Sequence, residues 1–165
     1  MSNYELYEIR PLRERDVIGV LRIIGDVCKK HGLEGRVNEI IEPSDRDLFV
    51  TYERERSEYF VAHNGAVTVG GAGIAPLAST DSRTCELQRM YLHSEYRRCG
   101  IGKMLLNECV KAAKAFGYCR CYAETVNEMK EAISFYQATG FRLLAGPIGD
   151  TGHRHNNCWM ILDFA

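Results

Sequence analysis

A short stretch between a predicted strand and a predicted long helix combines cations with two closely spaced glycines. It reads HSEYRRCGIGK and contains Arg97, Arg98, Gly100, Gly102 and Lys103. Backbone N–H groups at the start of a helix have no partner within the helix, and the helix dipole favours negative charge there. Because glycines let a phosphate approach the backbone and the cations add donors, the stretch predicts a pyrophosphate site. Two glycines alone are equally typical of an ordinary strand-to-helix turn.

The spacing of these residues excludes two common nucleotide-binding motifs. The stretch lacks the G-x-x-x-x-G-K-[ST] pattern of a P-loop and the G-x-G-x-x-G pattern of a dinucleotide site. ATP and NAD are therefore poor candidates for the anion. The chain carries no broad positive field either, since 21 Lys and Arg residues and 22 Asp and Glu residues give a net charge of −1. We therefore expect no nucleic-acid partner.

The rest of the chain is one alternating series of strand and helix patterns. Apolar periodicity and turn residues predict strands at 4–10, 59–63, 67–77, 84–92, 120–125, 141–145 and 158–164. They predict helices at 16–30, 45–52, 102–116 and 130–139. Asn64-Gly65 is a favoured two-residue hairpin turn, so the strands beside it should pair antiparallel. In the strand 84–92, simple alternation places Arg89 and Tyr91 on the face of Leu87, and Met90 and Leu92 on the other face.

Length and composition indicate one globular domain of the mixed α/β class. The 165 residues are 45% hydrophobic and 26% charged, which is typical of a chain that buries a core. We therefore expect a single domain over residues 1–165. No apolar run is long enough to cross a membrane and the first residues carry no signal pattern, so we expect a cytoplasmic protein without a membrane partner. The seven cysteines are an odd, scattered set, which favours free buried thiols over a metal or redox motif.

Three motifs follow one another in the second half of the chain. The first is Arg97-x-x-Gly100-x-Gly102, which comes shortly after the strand LQRMYL. The second is ETVN followed by AISFY, and the third is GF. In this order they resemble the Q/R-x-x-G-x-G/A acetyl-CoA signature, the fifth strand with its following helix, and the Y-x-x-x-G-F ending of the GNAT N-acetyltransferase superfamily. The close match runs from about Cys85 to Leu143. Arg98 and Cys99 stand where the family often has Gly and Lys, which implies a pocket with one cation fewer and less backbone freedom.

The resemblance implies a fold and a cosubstrate. The fold is a mixed, mostly antiparallel sheet of about seven strands, flanked by about four helices, in which the fourth and fifth strands splay apart. Acetyl-CoA enters the gap: its pantetheine arm pairs with the fourth strand, the turn holds its pyrophosphate, and a strand N–H near Leu92 polarises the thioester carbonyl. No metal is implied. The implied cofactor-binding residues are Met90, Tyr91, Leu92, Arg97, Arg98, Cys99, Gly100, Ile101, Gly102, Lys103, Asn127 and Tyr136.

The resemblance also assigns roles to three side chains. Tyr136 is the implied general acid, because the tyrosine of this helix in the family points its hydroxyl at the coenzyme sulfur; a hydrogen-bonded core aromatic is the alternative. Glu86, eleven positions before Arg97, is the implied base that removes the amine proton through water, and a charge on a solvated strand end is the alternative. Asn127 is implied to bond the pantetheine amides, with a turn or a helix cap as the alternative.

Two polar segments are implied to border the acceptor site. The loop 146–157 carries Asp150, His153 and His155, any of which could recognise or deprotonate an amine; a solvated loop is the alternative. The two histidines also have a spacing that allows a metal, but no carboxylate or thiolate triplet accompanies them in sequence, so we expect none. Acidic residues after the first helix would suit a cationic amine, or form a solvated face: Glu34, Glu39, Glu42, Asp45 and Asp47.

The resemblance and these residues together predict an enzyme. We expect an acetyl-CoA-dependent N-acetyltransferase, an acyltransferase that moves an acetyl group to a primary amine by direct transfer in a ternary complex. The expected acceptor is a small molecule. A protein N-acetyltransferase and a non-catalytic module that senses acyl-CoA are the alternatives, and a homodimer is left open as the assembly.

Overall fold

The helices and strands follow the order that the sequence predicts. A computed structural model describes residues 6–33 and 47–165. The acidic residues Glu34, Glu39, Glu42 and Asp45 therefore lie outside the described residues, as does the start of the strand predicted at 4–10. Over the described residues the chain forms β1 (Glu8–Pro11), α1 (Val17–Lys30), α2 (Leu48–Tyr52), β2 (Glu58–Asn64), β3 (Val67–Pro76), β4 (Thr84–Leu92), α3 (Ile101–Ala115), β5 (Arg120–Thr125), α4 (Lys130–Ala138), β6 (Arg142–Leu144) and β7 (Cys158–Asp163).

The seven strands of the described chain form one sheet in the order β1-β2-β3-β4-β5-β7-β6. Neighbours pair antiparallel, including the β2–β3 hairpin at Asn64-Gly65, except that β4 and β5 run parallel. Those two pair only where Thr84–Glu86 lies beside Arg120–Tyr122. Beyond these residues the strands separate, which confirms the mixed, mostly antiparallel sheet with splayed fourth and fifth strands.

Helices cover both faces of the sheet. The side chains of α3 and α4 pack on one face, in the cluster that contains Leu105, Cys109 and Tyr136. The helices α1 and α2 cover the other face with Val20, Ile24 and Leu48. All seven cysteines are free, and five are buried, as predicted: Cys28, Cys85, Cys109, Cys121 and Cys158.

The alternation predicted for β4 is wrong beyond Gln88. A β-bulge lies at this point, where one residue of β3, Ala72, opposes two of β4, Arg89 and Met90, and Arg89 takes a left-handed φ of 48°. An extra residue in one strand reverses which face the following side chains take. Met90 and Leu92 therefore pack on the α3 and α4 side, whereas Tyr91 packs on the α1 side.

A buried tyrosine holds this bulge in place. The hydroxyl of Tyr59 on β2 donates a hydrogen bond of 2.9 Å to the carbonyl oxygen of Arg89. To reach it, the ring lies across β3 at Gly71 and Gly73, where an added Cβ would come within 2.6 Å of ring atoms. These glycines are therefore needed for close packing, and any larger residue would displace Tyr59.

A buried ionic cluster joins β1, β2 and the start of α1. The guanidinium of Arg10 donates to both carboxylate oxygens of Asp16 at 2.7 and 2.9 Å, and the ring Nε2 of His63 lies 3.3 Å from that carboxylate. Burial raises the pKa of Asp16, but the bonds from Arg10 and from the backbone of Arg13 outweigh it and lower this pKa overall. Burial and the neighbouring Arg10 lower the pKa of His63 below 6.5.

The cluster predicts a loss of stability in mild acid. Both pKa values are lower in the folded state, so both groups add stability above their unfolded pKa values and lose it as pH falls through the folded ones. The free energy of unfolding should therefore decline below about pH 6.5, with at most about 1.4 kcal/mol per pH unit from His63. Urea unfolding from pH 8 to 5 measures this. His63→Gln should flatten the slope, and His93→Gln, at a part-exposed histidine, should not; equal slopes in all three proteins would contradict the prediction.

Candidate active site

A groove of about 590 Å³ lies beside the end of β4 and the start of α3. We call it the basic groove, because Arg97, Arg98, Lys103 and Lys130 line it together with one acidic residue, Glu131. Its remaining walls come from the end of α1 with His31, from the last residues of β4 and from α4. Of the predicted cofactor-binding residues, nine line this groove: Met90, Tyr91, Leu92, Arg97, Arg98, Gly100, Gly102, Lys103 and Tyr136.

The start of α3 has the geometry predicted for an anion-binding turn. Gly100 precedes the helix with a left-handed φ of 84°, and within the described chain no side chain caps this end of α3 and no acidic residue lies in its first turn. Arg98 also has a left-handed φ, 61°, a conformation that costs about 1–2 kcal/mol for a residue other than glycine. Arg97 is bound to Glu131 at 2.7 Å, which ties the turn to α4.

Three of the predicted cofactor-binding residues do not line either cavity. The side chain of Ile101 is fully buried in the core, and Cys99 is half-buried with its thiol directed at the carbonyl oxygen of Arg97. Asn127 is exposed after β5, where its backbone N–H donates to the side chain of Asn157 at 2.7 Å. It is not a helix cap, because α4 begins after Met129. Its contact with a cofactor stays a prediction.

The second cavity, about 390 Å³ in volume, lies where β4 and β5 separate, and we call it the polar cleft. Its polar walls come from β4, from the end of β5 and from the loop before β7: Glu86, Gln88, Arg89, Glu124, His153, Arg154, His155 and Asn156. Both cavities are lined by Val27, Met90, Tyr91, Met129, Ala132 and Tyr136. The cleft and the groove therefore meet at the bulge of β4 and the middle of α4.

Glu86 belongs to a chain of hydrogen bonds inside the polar cleft. The residue is buried, with 6% of its surface exposed, and its Oε2 accepts a hydrogen bond of 2.7 Å from the amide of Gln88. The Gln88 carbonyl in turn accepts from the hydroxyl of Tyr52 at 2.9 Å. The alternative of a solvated strand end is therefore wrong: this carboxylate is oriented at the floor of a cavity.

Tyr136 lies at the junction of the two cavities. It is 8% exposed, and its ring packs against Phe135 and Phe141 with centroids 5.7 and 5.3 Å away. Burial raises the pKa of its hydroxyl, and Cys121 and Cys109 nearby raise it further. The hydroxyl thus keeps its proton at every physiological pH.

The sequence of this chain matches a known protein family. The family model described as the acetyltransferase (GNAT) family matches residues 27–141. The chain belongs to this family. Among the relatives of this GNAT protein, the N-acetyltransferase YjgM of Escherichia coli K12 is 34% identical over 146 residues, which cover 88% of this chain and 87% of YjgM. Human N-acetyltransferase 8 is 31% identical over 99 residues, or 58% of this chain and 44% of the human protein.

Solved structures show the same fold. A GNAT acetyltransferase from Staphylococcus aureus superposes with a TM-score of 0.84 at 20% identity, over 95% of this chain and 98% of the other. The PaiA N-acetyltransferase from Thermoplasma acidophilum, in complex with coenzyme A, gives a TM-score of 0.77 at 20% identity, over 96% and 99%. The family and the fold that the three motifs implied are thereby confirmed.

In this GNAT protein the loop 146–157 is anchored by a residue that sequence reasoning left without a role. The carboxylate of Glu124 accepts hydrogen bonds from the hydroxyls of Thr151 and Tyr122 and from the amide of Asn156. The loop is thereby drawn over the polar cleft, which His153 and His155 line. Asp150 is exposed, outside both cavities, and its carboxylate accepts from the N–H of Gly152 at 2.9 Å.

We expect Glu124→Ala to weaken amine binding and to reduce stability. The hydroxyl of the fully buried Tyr122 would lose its acceptor, which costs about 1–3 kcal/mol in the free energy of unfolding, and the loop would lose two further bonds. The KM for the amine should rise several-fold with little change in the KM for acetyl-CoA. Steady-state kinetics and urea unfolding measure these effects, with Glu128→Ala, at an exposed residue outside both cavities, as the control. An unchanged KM for the amine would contradict the anchoring role.

Over residues 6–33 and 47–165 no group of three or more His, Cys, Asp or Glu side chains is placed to hold a metal ion. In the same part of the chain, no helix combines the length and the apolar character that a membrane span requires.

Proposed function

We propose that this protein transfers an acetyl group from acetyl-CoA, bound in the basic groove, to a small primary amine bound in the polar cleft. The observation that carries the proposal is the junction of the two cavities at Tyr136, where β4 and β5 separate. A donor in one cavity and an acceptor in the other would meet there without a covalent enzyme intermediate. Holding two reactants side by side in this way removes much of the entropic cost of their encounter.

The residues of the basic groove fit the chemical parts of coenzyme A. The uncapped start of α3, with Arg98 and Lys103 beside it, would hold the pyrophosphate. Beyond Glu86 the β4–β5 pairing ends in the described sheet, so the strand edge around Met90 and Leu92 would receive the pantetheine arm as an added strand. When bound, acetyl-CoA supplies an acyl thioester.

Glu86 is the proposed base. An amine attacks only in its neutral form, so a proton must leave it within the polar cleft. The carboxylate is buried at the cleft floor, and the bonds from Tyr52 to Gln88 and from Gln88 to Glu86 fix its orientation. A carboxylate held this way can take a proton from an ammonium group directly or through one water molecule.

Tyr136 is the proposed acid. It lines both cavities, and its raised pKa keeps the hydroxyl protonated. The sulfur that leaves during transfer gains negative charge, and a hydroxyl within reach would neutralise it by giving up a proton. Glu86 thus accepts a proton in the polar cleft, and Tyr136 donates one at the junction.

The size of the polar cleft favours a small acceptor over a folded protein surface. A volume of about 390 Å³ lies within the range of small-molecule sites. Chromatographic detection of coenzyme A release, across amino acids, polyamines, aryl amines, aminoglycosides and peptides, tests the proposal. Release matched by acetylated product with one class of small amines is the expected result. Binding of acetyl-CoA without transfer to any amine would instead support the sensing module, and transfer only to peptides would support a protein acceptor.

A further inference from the structure

His31 carries a polar atom that the fold leaves unsatisfied. The residue follows α1 directly, and its Nε2 is buried without a hydrogen-bond partner in the described chain. A buried polar atom without a partner costs about 1–3 kcal/mol, so such atoms are rare and often serve a ligand. His31 also lines the basic groove.

The position of His31 in the basic groove limits which part of a bound ligand it can contact. Val27, one helical turn earlier on the same face of α1, lines both cavities, whereas His31 lines the basic groove alone. His31 therefore lies away from the junction where the thioester would sit. The basic groove also holds the anion-binding turn with Arg98 and Lys103 and the edge of β4 at Met90 and Leu92. His31 thus shares the groove with the strand edge that would receive the pantetheine arm.

We infer that His31 binds a polar group of the pantetheine arm of coenzyme A. The inference rests on the proposed function, because it takes the basic groove as the coenzyme site. Between its sulfur and its pyrophosphate, the arm offers two amides and a hydroxyl. An imidazole nitrogen donates or accepts a hydrogen bond according to its tautomer, so Nε2 can pair with any of them. The broad χ2 minima of histidine let the ring turn toward the groove when the arm enters.

If His31 binds the pantetheine arm, replacing it should weaken coenzyme A binding without lowering the stability of the free protein. His31→Leu removes an unsatisfied atom from the free protein, so stability should stay the same or rise. The same change removes a ligand contact, so the Kd for coenzyme A should rise about tenfold. His31→Gln keeps a polar group at a similar reach and should restore part of the affinity. A histidine with a purely structural role would instead lose stability in both variants.

The experiment compares two ligands by titration calorimetry and follows urea unfolding of the free proteins. Coenzyme A contains the pantetheine arm, and adenosine 3′,5′-bisphosphate lacks it. We expect His31→Leu to weaken binding of coenzyme A but not of the bisphosphate. The matched control is His63→Gln. His63 lies outside both cavities, in the buried cluster with Arg10 and Asp16, so this variant should lose some stability and keep both affinities.

Three results would overturn the inference. Unchanged coenzyme A affinity in His31→Leu would remove His31 as a ligand. Equal losses for both ligands would place its effect outside the pantetheine arm. A less stable free protein, with no rescue of binding in His31→Gln, would assign it a structural role. If the wild-type protein bound neither ligand, the proposed function itself would fail, which is a different outcome from the other three.

Discussion

Replacing Tyr136 by phenylalanine is expected to lower kcat by about 10²–10⁴-fold while the affinity for coenzyme A stays nearly unchanged. The substitution removes one hydroxyl and keeps the ring that packs against Phe135 and Phe141. The hydroxyl is the proposed proton donor to the leaving sulfur, and burial keeps its pKa above the ordinary value, so the loss should persist across the whole accessible pH range. Steady-state kinetics with acetyl-CoA and the identified amine measures it.

The control for this substitution is a second buried tyrosine. Tyr118 is 4% exposed, lies outside both cavities, and donates its hydroxyl to the carbonyl oxygen of Arg56 at 3.0 Å. Tyr118→Phe should therefore lose some stability and retain kcat. If Tyr136→Phe turned over at the wild-type rate, Tyr136 would not be the acid.

The second large effect is expected at Glu86. Glu86→Gln preserves the size and the burial of the side chain but removes its ability to accept a proton, so kcat/KM should fall by about 10²–10⁴-fold. In the wild-type protein the rate should rise with pH as more of the amine is in its neutral form. The variant should have a lower profile with a changed rising limb, because the amine proton has lost its acceptor; a pH profile of kcat/KM at saturating acetyl-CoA measures this.

Glu58 provides the matched control for Glu86. It begins β2, is half-buried, and lies outside both cavities; burial raises the pKa of its carboxyl. Glu58→Gln should therefore leave the pH profile of activity unchanged. A Glu86→Gln profile identical in shape and height to that of the wild type would defeat the assignment of Glu86 as the base.

Local patterns in the sequence were sufficient to predict the strands and the turn that position the site. The bounds of β4 and β5 follow from short apolar runs between turns, and the structure has both strands at the predicted residues, Thr84–Leu92 and Arg120–Thr125. The anion-binding turn was readable because its glycines and cations are neighbours in the chain. Features of this kind depend on residues a few positions apart, which is the range that periodicity and motif spacing cover.

The parts that the sequence did not reveal depend on contacts between distant residues. The bulge at Arg89 is held by Tyr59, thirty positions away, and the ring needs Gly71 and Gly73 to pass. No local pattern indicates the bulge, because the sequence of β4 is compatible with an unbroken alternation of side chains between the two faces. Glu124 was part of a recognised motif, yet its partner Asn156 lies 32 positions later in a loop whose course only the fold determines. Long-range packing decides such details.

In the proposed reaction both substrates occupy the protein together and the acetyl group passes directly between the two cavities. Initial velocities measured over a matrix of acetyl-CoA and amine concentrations test this, with intact-protein mass spectrometry of the enzyme after exposure to acetyl-CoA alone. Direct transfer predicts intersecting double-reciprocal lines and a protein of unchanged mass. Parallel lines together with a stoichiometrically acetylated protein would show a covalent enzyme intermediate and contradict direct transfer.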